Sequence, residues 1–238
     1  MPDSAIVVGA SSGIGEALAR KLAENGYEVG LTARSIDRLE AIGEELPTKS
    51  YVAYMDVTDT VEARETFGKL VEAMDGVDVV VLNAGIAPAN PDLEWEPDRA
   101  TIDTNVCGFV ALATAAMDHF ETQGHGHLVG ISSVAAHVGI PDVPAYSASK
   151  AFVSRYLEGV RFRAHERDAD VTVTTIEPGY VDTDLSLGRF WEADVDTAVS
   201  QIDTAIRMRK SHAYVTRRWR LIAVLLGVLP DFVRRRMV

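Results

Sequence analysis

Apolar residues in this chain fall into short runs separated by longer amphipathic stretches. Residues 5–8, Ala5-Ile6-Val7-Val8, are continuous and rich in β-branched side chains, as a strand buried on both faces requires. Similar runs predict strands at 27–32, 51–55, 77–82, 127–131 and 171–176, with a short seventh at 214–216. Helical spacing separates them. Ile14, Leu18 and Leu22 lie on one face of a helix over 13–25, which Gly26 stops. Further helices are predicted at 38–46, ended by Pro47, and at 61–74, 98–120 and 145–167; Trp95 and Pro97 lie in the lead into the fourth. Strand and helix alternate throughout. That predicts an α/β fold, a doubly wound parallel sheet with helices on both faces, as one domain over residues 1–238. The stretch 184–210 is the least legible and reads as a loop that shapes a substrate pocket.

Composition narrows the picture. At 238 residues, with 47% hydrophobic and 24% charged, the chain can bury a sizeable core. Its single cysteine, Cys107, excludes an intramolecular disulfide and suits a reducing compartment such as the cytoplasm. The first strand begins almost at once, which leaves no room for a signal peptide. A net charge of −12 argues against general nucleic-acid binding. The charge is uneven: from Arg207 onward there are nine Lys or Arg and a single acid, Asp231. The basic residues are mostly arginine, which a GC-rich genome and a salt-rich setting explain equally well.

The first strand leads into Gly9-Ala10-Ser11-Ser12-Gly13-Ile14-Gly15, and a helix follows. A strand that turns directly into a helix presents backbone N–H groups at the helix N-terminus, where the dipole also favours a phosphate. Gly9 permits the tight turn, and Gly13 and Gly15 allow close approach. Downstream, Tyr146 and Lys150 are four residues apart, one helical turn on one face, with Ser133 at the end of the fifth strand and Asn105 in the long helix before it. Each has a bland reading when taken alone. Their joint order and spacing do not.

Gly9-x-x-x-Gly13-Ile14-Gly15 with Tyr146-x-x-x-Lys150 resembles the short-chain dehydrogenase/reductase family, over roughly residues 4–183. Asp56-Val57, Asn83-Ala84-Gly85 and Pro178-Gly179 extend the likeness. The resemblance implies a Rossmann-like fold and hydride transfer between a nicotinamide cofactor and a carbonyl or alcohol. It places the cofactor against Gly9, Ser11, Ser12, Gly13, Ile14 and Gly15, with Asp56 and Val57 at the adenine. Asn83, Ala84 and Gly85 line it, and Pro178, Gly179, Val181 and Thr183 meet the nicotinamide end. Tyr146 would give or take the proton, and Lys150 would tune that tyrosine and bind the nicotinamide ribose. Ser133, favoured over Ser132 by its spacing to the tyrosine, would hold the substrate oxygen. Asn105 would hold a water joining Lys150 to solvent. A free tyrosine titrates near pH 10, so help from a lysine charge is expected. Homo-oligomers through the helices after strands four and five are common in the family.

The second strand ends Leu31-Thr32-Ala33-Arg34-Ser35, with no acid where NAD-preferring members carry one. Arg34 suits the 2′-phosphate of NADP by charge and by forked geometry. His125-Gly126-His127 lacks a third ligand and reads as structural, and Cys107 reads as a small core residue. His137 and Asp142 flank the loop beside the expected substrate. The tail 217–238 joins Arg217-Arg218-Trp219-Arg220 to an apolar run over 221–229 and then to Arg234-Arg235-Arg236. The apolar run reads as a C-terminal helix flanked by arginines, too short to span a bilayer. Packing over the substrate site or a second subunit, and contact with an anionic membrane surface, both stay open. The tail also departs from the glycine-rich finish of many family members, which points to a hydrophobic ketone or aldehyde. The sequence thus reads as an NADP-dependent oxidoreductase. Alcohol oxidation by the same machinery and an NADP(H)-sensing module without turnover are the alternatives, and the intact proton relay argues against the sensor.

Overall fold

The computed structural model describes residues 3–167, 170–183 and 191–230. A seven-stranded, wholly parallel sheet runs in the order β3-β2-β1-β4-β5-β6-β7. The strands are β1 (Ser4–Val8), β2 (Glu28–Ala33), β3 (Ser50–Tyr54), β4 (Val79–Leu82), β5 (His125–Ile131), β6 (Asp170–Pro178) and β7 (His212–Val215). Every residue of β1 is buried. Ala5 and Val7 enter one core, with Leu18 and Leu22 of α1 (Gly13–Glu24), Leu39 of α2 (Ile36–Glu45) and Ile202 of α7 (Val195–Arg207). Ile6 and Val8 enter the other, with Phe67 of α3 (Thr60–Ala73), Leu112 and Phe120 of α5 (Phe109–Gln123) and Leu157 of α6 (Pro144–Glu166). This two-sided burial explains why β1 and β4 are continuous apolar runs rather than alternating ones.

Strand order reverses between β1 and β4, so the loops leaving their C-terminal ends diverge and open a crevice there. Local chemistry sets the helix ends. Asp59 and Asp194 cap α3 and α7 by accepting from the N–H groups of Glu62 and Thr197. Gly26, at φ +94°, supplies the left-handed residue after α1.

Two expectations change. The long helix predicted over 98–120 runs from α4 (Trp95–Ile102) through a π-helical turn, Asp103–Gly108, into α5. The whole stretch has the length and apolarity to cross a membrane, yet 44% of its most apolar window is buried in the protein. Phe109, Leu112, Ala116 and Phe120 pack in the second core, which makes it a core helix. The stretch 184–210 is only partly loop, because α7 occupies Val195–Arg207 and packs on α1; residues 184–190 lie outside the described residues. The tail forms the expected apolar helix, α8 (Trp219–Val228), while Arg234, Arg235 and Arg236 fall outside the described residues.

Candidate active site

A cleft of about 590 Å³ lies at the strand-order reversal, and every predicted cofactor or catalytic residue except Gly15 and Asn105 lines it. Gly9 leaves β1 at φ +83°, and a Cβ there would sit 2.7 Å from the Ala84 backbone. Asn83 closes this turn by donating from Nδ2 to the Gly9 carbonyl at 2.9 Å. Gly15 stands behind it rather than in the cleft: a Cβ there would lie 2.0 Å from the Gly9 carbonyl oxygen. Its role in this fold is close packing of α1 on the turn. Thr183 packs on Gly13 from the opposite wall. At the far end Arg34 is exposed beside Asp56. The Asp56 carboxyl is held below its usual range by the Thr58 N–H, then by the Thr58 hydroxyl and the Arg34 charge.

Ser133, Tyr146 and Lys150 meet at the other end. Ser133 lies two residues past β5 and caps a 3-10 turn, Val134–His137, accepting from the Ala135 N–H at 3.1 Å. Its hydroxyl also lies near enough to the Tyr146 phenol to favour the phenolate. Tyr146 and Lys150 share one face of α6, with the ammonium 5.7 Å from the phenol ring centre. Both are buried, and burial dominates both titrations. It raises the phenol, against the influence of the Ser133 hydroxyl, and lowers the Lys150 ammonium to about 8. The net shift of Tyr146 is upward rather than the expected lowering, because burial dominates it; Lys150 Nζ donates to the Ile131 carbonyl at 2.9 Å.

Asn105 sits on the π-helical turn and is buried. Its Oδ1 accepts from the Ile86 N–H at 2.8 Å. Its Nδ2 donates to the Ile86 carbonyl at 2.9 Å and to Ser149 Oγ at 3.0 Å. The side chain therefore ties the loop after β4 to α6. Gly85 lies directly above, and a Cβ there would lie 3.3 Å from Asn105 Oδ1 and 3.4 Å from Lys150 Nζ. Ser132 is committed elsewhere, donating to the Lys150 carbonyl at 2.8 Å and meeting Ser154 Oγ at 2.8 Å.

Other residues depart from expectation. Cys107 is exposed rather than in the core: Asn105 and Gly108 take the inward positions of the turn, and Cys107 falls on the outer side. His137 and Asp142 do not line the cleft. His125 pairs with Asp78, while His127 is buried against Thr174 and burial pushes it down to about 4. Trp219 is buried on Gly179, where its ring fills the space a Cβ would need, and with Ile222 it brings α8 to the cleft. Val134, Ala135, Val138 and Ile140 complete an apolar wall.

One buried group carries no signal in a single sequence. Glu177 of β6, just before Pro178-Gly179, is 2% exposed. Its Oε2 accepts from His137 Nε2 at 2.7 Å and faces His212 Nε2 at 3.3 Å; its Oε1 accepts from Ser154 at 2.7 Å. Burial pushes this carboxyl up, but the bonds from His137, His212 and Ser154 outweigh it and hold it at about 2.

Residues 3–192 match the model of the short chain dehydrogenase family. An uncharacterized oxidoreductase of Mycobacterium tuberculosis is 35% identical, covering 97% of this chain and 95% of the relative. An NADP-dependent 3-hydroxy acid dehydrogenase of Shigella flexneri is 33% identical, covering 78% and 75%. Among solved structures, an alcohol dehydrogenase from Thermococcus sibiricus complexed with 5-hydroxy-NADP superposes with a TM-score of 0.80 at 27% identity, covering 89% and 95%.

Proposed function

We propose that this chain, which belongs to the short-chain dehydrogenase family, transfers hydride between NADPH and the carbonyl of an apolar ketone or aldehyde. The observation that carries the reading is the meeting of Ser133, Tyr146 and Lys150 at one end of a cleft whose other end holds the glycine turn and Arg34. The residues fit the cofactor. Gly9 and Gly13, both at positive φ, open the turn to a pyrophosphate at the N-terminus of α1. Arg34 is exposed, with a guanidinium to offer a 2′-phosphate. The bound cofactor supplies or accepts the hydride.

The protein's own groups do the rest. Ser133 holds the substrate oxygen beside the phenol, and Tyr146 delivers the proton as that oxygen gains charge. The phenol is raised by burial, so it is protonated and ready to donate at neutral pH. Lys150, lowered to about 8, keeps most of its charge at pH 7 and steadies the phenolate left behind. Asn105 holds α6 against the loop that faces Lys150, and a water beside it would return the proton from solvent.

The wall formed by Val134, Val138, Ile140, Trp219 and Ile222 supports an apolar substrate. Among the described residues lining the cleft, the only cations are Arg34 and Lys150, both engaged with cofactor in this reading. The 3-hydroxy acid dehydrogenase relative favours a second reading, oxidation of the alcohol. Exposed Phe152 and Phe162 on α6 support a homo-oligomer. Exposed Leu221 and Leu225 beside Arg217 and Arg220 support contact of α8 with an anionic membrane surface in the cytoplasm; flotation with anionic liposomes tests that contact. The function is tested by NADPH oxidation against carbonyls of graded apolarity, at low and multimolar salt. Turnover that rises with apolarity supports the reading. Tight NADPH binding with no turnover of any carbonyl or alcohol favours a sensor.

A further inference from the structure

The buried carboxylate of Glu177 lies outside the cleft yet joins three of the elements around its catalytic end to β6. It belongs to β6, one residue before the Pro178-Gly179 segment, and Ser133 Oγ reaches the Pro178 carbonyl at 3.4 Å. His137 closes the turn that Ser133 begins, so the His137–Glu177 bond fixes both ends of that turn to β6. Ser154 lies one turn beyond Lys150 on α6 and donates to the other carboxylate oxygen. Ser132 bridges Ser154 to the Lys150 carbonyl. His212 adds β7, and the Tyr214 ring packs against both imidazoles, with centroids at 4.5 Å from His212 and 6.1 Å from His137.

We propose that Glu177 is a positioning residue: it clamps the Ser133 turn, the Tyr146–Lys150 helix and the nicotinamide-side segment into one reactive geometry. The inference rests on the hydride-transfer reading above. Its physical basis is the hydrogen inventory. An ionised carboxylate only accepts, so His137 and Ser154 must present protons to it, while His212 Nε2 faces it at 3.3 Å. Ser154's single proton goes to Glu177, which leaves its oxygen free to accept from Ser132. The charge therefore orients the Ser154 hydroxyl, and Ser132 shares its one proton between Ser154 Oγ and the Lys150 carbonyl. Four segments are held by one rigid buried group, and a shift of about 1 Å at reacting atoms lowers rate about 100-fold.

Glu177→Gln tests this because it conserves volume while its amide nitrogen cannot accept from an imidazole. The expected result is a kcat about 10- to 100-fold lower with NADPH affinity unchanged. The primary isotope effect with 4-deuterated NADPH should rise, because hydride transfer becomes the slow step. His137→Ala should show the same split, and His137→Gln, which can still donate to Glu177, should recover most of the rate. If Glu177→Gln does not fold, the half-exposed His137 pair decides. A wild type that turns over beside an equally fast Glu177→Gln or His137→Ala overturns this inference alone. So does a kcat loss matched by lost NADPH-binding stoichiometry with an unchanged isotope effect, which would mark a merely structural role. A wild type inert toward every carbonyl and alcohol overturns the hydride-transfer reading, and this inference with it.

Discussion

Lys150→Met separates what the lysine does for the chemistry from what it does to the fold. The ammonium is buried and donates to the Ile131 carbonyl at 2.9 Å; burial lowers its pKa from 10.5 to about 8. Between those values the unfolded chain holds a proton that the folded chain does not, so stability rises with pH in that window. Below pH 8 both states are protonated and the fold carries the whole burden, about 3 kcal/mol. Methionine removes the charge at similar length but leaves the Ile131 carbonyl without its donor, at a cost of about 1–3 kcal/mol. The two effects nearly cancel, so the variant should fold with stability close to wild type at pH 7 and show no turnover. Its pH dependence should differ. From pH 7 to 9 the wild type should gain about 1 kcal/mol relative to the variant. Urea unfolding of both proteins at pH 7, 8 and 9 measures this. A wild-type-to-variant difference that stays constant over that range refutes the reasoning.

Arg34→Asp should raise the Michaelis constant for NADPH about 10- to 100-fold, the loss of charge-assisted bonds to a phosphate, with a much smaller change for NADH. Steady-state kinetics with both cofactors checks it, and an unchanged preference sinks the NADP assignment. Gly15→Ala should destabilise by more than about 4 kcal/mol, because its Cβ would lie 2.0 Å from the Gly9 carbonyl oxygen and 2.5 Å from Asn83 Nδ2. Thermal melting reads this, and wild-type stability would mean that the turn is looser than described.

Much of the fold is legible in the pattern of apolar runs. Buried parallel strands are short and unbroken, and β1, β4 and the core of β6 stand out for that reason. The α7 helix was as legible in principle: Ala198, Val199, Ile202 and Ile206 repeat at helical spacing behind the Asp194 cap. Flanking segments without periodicity hide it. The π-helical turn at Asn105 left no such trace, since it alters the path of a helix without altering its apolar period. The candidate site was visible wherever chemistry demands a residue type at a fixed spacing, as with Tyr146 and Lys150. Glu177, His137 and His212 are 40 and 35 residues apart along the chain and meet only through the β5–β6–β7 order. No local spacing records that. Cys107 was misleading for a related reason, because burial of a single side chain depends on which face a turn presents.

The central claim is proton delivery by Tyr146 during hydride transfer from NADPH. It is tested most directly by Tyr146→Phe, with NADPH binding followed by fluorescence and carbonyl reduction followed by NADPH oxidation. NADPH binding should stay intact and turnover should fall to background, because phenylalanine keeps the ring but has no proton to give. Substantial turnover by the variant with wild-type NADPH affinity would contradict it.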